Sequence, residues 1–226
     1  MNYSRNSFVG VLPPVTKNII IVNGIIWLTQ FVLLGRANID LSQLFGLHFI
    51  ASEQFRIYQT VTYMFLHDPH SISHVFFNMF AVFMFGRTLE QIWGAKRFLS
   101  YYLVTGVGAG LIQMLVVFLR MQVFVAPQDM FSLVNSITIG ASGAVFGILL
   151  AFGMLFPNSK LFIIPFPFPI KAKWFVIGYG LLELFFGVVN RTGDNVAHFA
   201  HLGGMLFGIF MILYWEKKDR KYGRFY

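Results

Sequence analysis

The stretch GASGAVFGILLAFGMLF, residues 140–156, places Ser142 between glycines at the start of a long apolar run. A second apolar run carries Ala200-His201-Leu202-Gly203-Gly204 near its start. Polar and ionisable side chains are costly inside a bilayer, so a serine and a histidine in such runs mark a functional site by default. The two runs favour the hypothesis of a serine protease that works below a membrane surface.

The composition is that of a membrane protein with several spans. Of the 226 residues, 57% are hydrophobic, 28 are Phe and only 12% are charged, which is far from the soluble average. The sequence contains no cysteine, which excludes thiolate metal sites, disulfides and cysteine nucleophiles. We therefore expect an all-α polytopic membrane protein that forms one membrane domain over residues 1–226.

The apolar runs provide six spans of about 20 residues each. They fall at residues 18–35, 74–94, 97–119, 139–156, 174–190 and 196–215. A long outer loop, residues 36–73, follows the first span. No small-residue cleavage pattern follows that span, so we expect it to be retained.

The basic residues predict the orientation of this bundle. With both termini in the cytoplasm, the inner segments hold thirteen Lys and Arg residues and the outer segments hold four, as the positive-inside rule requires. The net charge of +8 then lies mainly at the inner membrane surface, where it suits anionic lipid headgroups better than nucleic acid. The short termini, without a transit-peptide pattern, favour a bacterial plasma membrane. We expect the lipid bilayer, and no nucleic acid, as a partner.

This orientation brings polar side chains to one level near the outer face. His74 and Asn78, at i and i+4, share a helical face at the start of the second span. Ser142 begins the fourth span, and His198 and His201 lie in the first turns of the sixth. At about 1.5 Å of rise per residue, Ser142 and His201 lie at equal depth, roughly 10 Å below the outer boundary, and His198 lies nearly one turn closer to the surface.

Each polar group also has a structural explanation. A lone serine in a membrane helix usually bonds to its own i−4 carbonyl, and His74 and Asn78 could simply bond across helices. The flanking Gly140 and Gly143 favour a catalytic role for Ser142 over a purely structural one, because they leave the free N–H groups of a helix start accessible to a developing oxyanion. The glycine pairs Gly143/Gly147 and Gly204/Gly208 are most often helix-packing features. Such packing would bring the sixth span against the fourth.

Three motifs occur in order along the second, fourth and sixth spans. They are His74-x-x-x-Asn78, Gly140-x-Ser142-Gly143 and Ala200-His201-x-Gly203-Gly204-x-x-x-Gly208. Gly86-x-x-x-Glu90-x-x-x-Gly94 and the loop pair Phe55-Arg56 add to this set. With these motifs the chain resembles the rhomboid intramembrane serine proteases over nearly its whole length. The resemblance implies a six-helix rhomboid-like bundle whose first loop lies partly in the outer leaflet.

The resemblance also implies the roles of the site residues. Ser142 would be the nucleophile of a Ser–His dyad, and His201 the general base and then the general acid. His74, Asn78 and the backbone N–H of Ser142 would hold the oxyanion. The supporting residues would be Gly140, Gly143, Phe146 and His198. No metal and no cofactor is expected.

Two features of the chain bear on the dyad. Glu90 lies at the inner end of the second span and Glu183 near the middle of the fifth, so neither is expected to orient a histidine. A hydrogen bond to a neighbouring helix is the simplest role for Glu183. Phe146 stands where the family commonly has tyrosine, so its ring can pack on His201 without contributing a hydroxyl.

The expected partners are single-span membrane proteins, cut near the outer end of the transmembrane segment. Hydrolysis needs water and an unwound backbone, so the substrate would unwind locally, and the resemblance suggests that it enters beside the fifth span. Two other function classes stay open at this stage. The chain could be an inactive relative that only binds membrane clients, or a transporter with an unrelated polar cluster.

Overall fold

Helices make up most of this computed structural model, which describes residues 12–123, 127–162, 168–189 and 196–221. The helices are α1 (Pro14–Ala37), α2 (Leu41–Phe45), α3 (Gln59–Thr62), α4 (Ile72–Ala81), α5 (Arg87–Trp93), α6 (Ala95–Val123), α7 (Pro127–Val134), α8 (Ser142–Leu155), α9 (Ala172–Val189) and α10 (His198–Lys221). A 3-10 turn, Tyr63–Phe65, follows α3, and a π-helical segment, Val82–Gly86, joins α4 to α5. The strands are β1 (Leu47–His48), β2 (Ile137–Thr138), β3 (Lys160–Leu161) and β4 (Ile170–Lys171).

Five helical segments of the described chain are long and apolar enough to cross a membrane: α1, the continuous α4–α5 segment, α6, α9 and α10. Helix α8 is apolar but has only 14 residues, or about 21 Å at 1.5 Å per residue, against a hydrocarbon core of about 30 Å. The predicted all-α membrane fold is confirmed. The count of six spans stays a prediction, because it depends on this short helix.

The helix bounds differ from the predicted spans by up to six residues. The largest difference is at the end of α10, which runs to Lys221 rather than 215, and the fourth span, α8, starts later than predicted. The prediction began this span at residue 139, but Gly140 has a φ of +124°, a conformation that ends any helical path. Helix α8 therefore begins at Ser142. The first span begins earlier than predicted, because Pro14 is already in α1, where proline is favoured in the first turn. Residue 190, the predicted end of the fifth span, lies outside the described residues.

Helix α8 is the centre of the bundle. Nine of its 14 residues are buried, and α10 packs against α6, α8 and α9. The outer helices instead expose large apolar side chains, such as Phe77 of α4, Leu181 of α9 and Phe210 of α10. Apolar outward faces suit contact with lipid. The helix that carries the candidate serine is therefore the one most shielded from lipid.

The predicted long outer loop is ordered and packs into the bundle. Strand β1 pairs antiparallel with β2, with Leu47 opposite Thr138, so the loop is held to the segment that leads into α8. Tyr63 is buried, and its hydroxyl donates to the carbonyl of Gly106 at 2.6 Å. Burial raises the pKa of Tyr63 well above its usual value, which keeps this hydroxyl a donor. The loop thus forms part of the framework around Ser142.

Glu90 joins α5 to the start of α1. Its buried carboxylate accepts hydrogen bonds from the backbone N–H groups of Val15 and Thr16 at 2.9 and 2.7 Å, and from the Thr16 hydroxyl at 2.7 Å. The first N–H groups of a helix have no intrahelical partner and attract a negative charge. Glu90 therefore caps α1, and its role within the described residues is structural.

Candidate active site

Ser142 is the first residue of α8, and the backbone before it is shaped for an open helix start. Gly140 adopts its φ of +124° while its N–H donates to the carbonyl of Tyr63 at 3.0 Å. Ala141 precedes the helix and provides no side-chain cap. The N–H groups of the first turn are therefore left for a ligand, in an arrangement that suits an anion.

The hydroxyl of Ser142 meets the imidazole of His201. Ser142 Oγ and His201 Nε2 are 2.8 Å apart. Close packing of α8 on α10 makes this possible, because a Cβ on Gly204 would collide with the carbonyl oxygen of Gly143. Phe146 stacks on the imidazole of His201, with ring centroids 4.2 Å apart and ring planes inclined by 7°.

Glu183 reaches both histidines of α10. Its Oε2 lies 2.8 Å from His201 Nδ1 and 2.6 Å from His198 Nδ1. The sequence prediction that no carboxylate is placed to orient a histidine is therefore wrong for Glu183. Glu183 lies six residues, or about 9 Å, before Val189 at the C-terminal end of α9. Nδ1 of His201 thus has an acidic partner.

Two signals in the sequence point to this contact. Gly180 and Gly187 lie at i−3 and i+4 from Glu183, so the three residues share one helical face. Small residues in a membrane helix mark the face that packs on a neighbour. Counted from residue 190, the predicted outer end of the fifth span, Glu183 lies seven residues or about 10 Å deep, which matches the depth predicted for Ser142 and His201. The prediction erred by taking Glu183 only as a residue near the middle of its span.

His74 lies beside the serine. A Cβ on Gly140 would lie 3.0 Å from His74 Nε2, so the imidazole occupies the space that a larger residue at position 140 would fill. The backbone N–H of Asp68 donates to His74 Nδ1 at 3.3 Å. Nε2 is then the nitrogen that carries the proton in the neutral ring, and it is available as a donor.

Asn78 lies one helical turn further along α4. Its side-chain amide donates to the backbone carbonyl of His74 at 2.9 Å, and the residue is buried. Among the described residues, His74 lines the cavity at Ser142 and Asn78 does not. Of the two predicted side-chain donors, the structure therefore places His74 in the cavity, while the amide of Asn78 donates within α4.

A fourth histidine, His67, which the sequence analysis did not select, packs on His74. His67 lies in the loop before α4, fully buried, with its ring edge-on to His74 at a centroid distance of 5.0 Å. Burial, together with the neighbouring His74, lowers the pKa of His67 to about 3. His67 is therefore neutral at physiological pH and adds no positive charge beside His74.

A cavity of about 800 Å³ contains the polar residues. Its walls come from α4, α6, α8, α9, α10 and the segment before α8. Ser142, His201, His198 and His74 all line it, together with Phe186 and Gly187 of α9. A nucleophile paired with a base, next to an uncapped helix start and an imidazole donor, is an arrangement suited to acyl transfer.

The ligand atoms of Glu183, His198 and His201 lie within 4.8 Å of one another, a spacing that a small divalent cation could also use. The two contacts to Glu183 Oε2, at 2.6 and 2.8 Å, are ordinary lengths for charge-assisted hydrogen bonds. Hydrogen bonding therefore accounts for this cluster without a metal ion.

Comparison with known proteins identifies relatives. A family model described as the Rhomboid domain matches residues 54–218. Rhomboid protein 1, mitochondrial, from Saccharomyces cerevisiae is 31% identical over 148 residues, which are 66% of this chain and 39% of that protein. Rhomboid-like protease 3 from Toxoplasma gondii is 27% identical over 169 residues (74% and 55%), and Rhomboid protease AarA from Providencia stuartii is 26% identical over 151 residues (60% and 48%). The chain spans about half the length of these relatives or less.

Proposed function

Because the chain belongs to the rhomboid family, we propose that it is an intramembrane serine endopeptidase. It cleaves single-span membrane proteins near the outer end of their transmembrane segment. The observation that carries this proposal is the 2.8 Å contact between Ser142 Oγ and His201 Nε2, inside a cavity of a bundle with lipid-exposed apolar faces. Two relatives named as rhomboid proteases support the same activity.

Catalysis proceeds in two steps through an acyl-enzyme. Ser142 Oγ attacks the scissile carbonyl carbon while His201 Nε2 takes the hydroxyl proton. The resulting oxyanion accepts hydrogen bonds from the backbone N–H of Ser142 and from His74 Nε2, and Asn78 supports this donor set. His201 then gives its proton to the leaving amine as the C–N bond breaks. A water molecule, deprotonated by His201, attacks the ester and releases Ser142 with the new carboxyl terminus.

The membrane arrangement follows from the helices and the charges. The five long segments and the short α8 all cross the bilayer, and residues 1–226 act as one domain. Both termini lie in the cytoplasm of a cell whose plasma membrane holds the protein, because thirteen basic residues then lie inside and four outside. The starts of α4, α8 and α10 then face outward, so the cavity opens toward the outer surface.

The substrate approaches beside α9. This helix forms a wall of the cavity through Phe186 and Gly187, while Leu181 and Val188 are exposed on its lipid side. A transmembrane helix must unwind to expose a peptide bond to water and to Ser142. Substrates therefore carry Gly, Pro or other small residues near their outer end, with small residues before the scissile bond.

The test is cleavage of a single-span substrate by purified protein in liposomes. Ser142→Ala is expected to abolish both cleavage and labelling by a fluorophosphonate, with little change in melting temperature, because only the nucleophile is removed. His201→Ala should also abolish cleavage, and His198→Ala should only lower it. Ser100→Ala is the matched control, since the Ser100 hydroxyl donates to the carbonyl of Lys96 within α6.

Equal labelling of Ser142→Ala and wild type would contradict the assignment of the nucleophile. An inactive His198→Ala beside an active His201→Ala would reverse the assignment of the base. Wild-type protein that takes up the probe but cuts no membrane substrate would instead place the error in the substrate class.

A further inference from the structure

Glu183 is a carboxylate within an apolar helix, and the mechanism above leaves it without a role. We propose that Glu183 is a positioning residue that holds His201 in the tautomer required for general-base catalysis, an inference that rests on the proposed function. Both side chains are buried, with 8% of each residue exposed, and the contact joins Oε2 to Nδ1 at 2.8 Å. A buried polar contact of this kind is retained only if both groups are satisfied.

The chemistry of the two partners determines the tautomer. An ionised carboxylate can only accept hydrogen bonds, so Nδ1 of His201 must carry the proton that it donates to Glu183. In the neutral ring Nε2 is then unprotonated. It faces Ser142 Oγ at 2.8 Å and accepts the hydroxyl proton. The other tautomer would turn an N–H toward Ser142 and set two acceptors against each other at 2.8 Å.

His198 fixes the carboxylate from a second side. Its Nδ1 lies 2.6 Å from Oε2, the oxygen that His201 also contacts. Two donors on one oxygen use both of its lone pairs and offset the cost of burying its charge. His198 therefore acts on the reaction through Glu183. This explains why its removal should lower activity without abolishing it.

The His201 ring has two polar partners among the described residues, Ser142 at Nε2 and Glu183 at Nδ1. Phe146 lies parallel to one face at 4.2 Å, and Ser142 contacts Nε2. Phe146 offers no hydroxyl, so among the described residues the hydrogen-bonding partners of this imidazole are Ser142 and Glu183. When His201 takes the serine proton, the adjacent buried carboxylate also stabilises the imidazolium.

The test compares steady-state kinetics of wild type, Glu183→Gln and Glu183→Asp in liposomes. Glu183→Gln keeps the side-chain size, but its amide can donate to Nδ1 and favour the wrong tautomer. We expect kcat to fall by roughly 10²- to 10⁴-fold with little change in KM. Fluorophosphonate labelling of Ser142 should slow in parallel. Glu183→Asp keeps an acceptor-only group and should recover part of the lost activity.

Glu90→Gln is the matched control, because Glu90 is a buried carboxylate that caps α1 and is not among the residues that line the cavity. It should lower the melting temperature and leave kcat of the folded protein within a factor of about two. A Glu183→Gln variant with that same pattern would overturn the proposal and make Glu183 structural. If wild type itself cuts nothing, the proposed function fails first.

A measurement on wild-type protein keeps the proposal testable even if the Glu183 variants do not fold. Proton NMR should show a low-field Nδ1–H resonance that is split by ¹⁵N in ¹⁵N-histidine-labelled protein and is lost in His201→Ala. A His201 ring protonated on Nε2 in the resting protein would overturn the proposal.

Discussion

Gly140 serves two purposes at the residue scale. Its φ of +124° turns the chain into α8, a conformation that side chains rarely adopt. The same position leaves room for the imidazole of His74, whose Nε2 would lie 3.0 Å from a Cβ there. A glycine two residues before the serine therefore shapes the backbone and admits a neighbouring donor, which is a physical reason for the Gly140-x-Ser142 spacing.

The two side-chain donors of α4 should differ in their effect. His74→Ala and Asn78→Ala are both expected to lower kcat, by a factor on the order of 10 to 1000, with little change in KM. The loss should be larger for His74→Ala, because His74 lines the cavity and Asn78 donates to the His74 carbonyl. Steady-state kinetics in liposomes measures both. An effect confined to KM would make them substrate-binding groups.

His67 should make the stability of the protein sensitive to acid. Its folded-state pKa, about 3, lies below the ordinary histidine value of 6.5, so between these values the unfolded chain binds more protons. The contribution of neutral His67 to the free energy of unfolding is complete above pH 6.5 and is lost as pH falls toward 3. From pH 6.5 to 5 this amounts to about 2 kcal/mol.

The measurement is the fall in melting temperature between pH 7 and pH 5 in detergent. His67→Asn has no titrating group and should show a smaller fall than wild type. The quantity compared is the slope of melting temperature against pH in the two proteins, because a loss of stability that is the same at every pH does not change this slope. Equal slopes in the two proteins would show that another group titrates in this range.

At the element scale, the site depends on how closely α8 approaches α10. Gly143 and Gly204 face each other so closely that a Cβ on Gly204 would collide with the Gly143 carbonyl. Side-chain size therefore sets the distance between the helices, and this distance brings His201 to Ser142. Glu183 reaches the same place from α9, because the buried face of that helix turns toward α10.

A single methyl group should test this packing. Gly204→Ala is expected to destabilise the fold by about 1 to 3 kcal/mol through overpacking and to reduce cleavage strongly. Gly178→Ala in α9 is the matched control, because a Cβ there meets nothing within 4 Å; it should leave stability and cleavage nearly unchanged. Thermal melts and liposome kinetics measure both. Full activity of Gly204→Ala would show that α8 and α10 can move apart without loss of catalysis.

At the scale of the whole molecule, a short central helix is surrounded by longer ones. Helix α8 has 14 residues, whereas α6 has 29. The loop before α8 pairs with the first loop through β1 and β2, and the cavity lies at this end of the bundle. The cavity thus lies where the short α8 begins among longer helices, and proteolysis within a membrane requires such a space for water.

The absence of cysteine from the sequence allows a direct test of orientation. Single cysteines replace Ile57, which is 76% exposed in the first loop, and Lys217, which is exposed near the C-terminal end of α10. On intact cells an impermeant maleimide should label Ile57→Cys, and it should label Lys217→Cys only after lysis. The reverse pattern would invert the topology and turn the cavity toward the cytoplasm.

The sequence alone determined the helices, the motifs and the polar layer near one membrane face. These properties follow from hydrophobic runs, from side-chain spacing along a helix and from charges at span ends, which are all local along the chain. Only the tertiary structure decided that Glu183 meets His201, that His74 reaches Gly140, and that β1 pairs with β2. Such contacts join residues distant in sequence, and they depend on how each helix is rotated and how closely it packs. Helix periodicity leaves both undetermined.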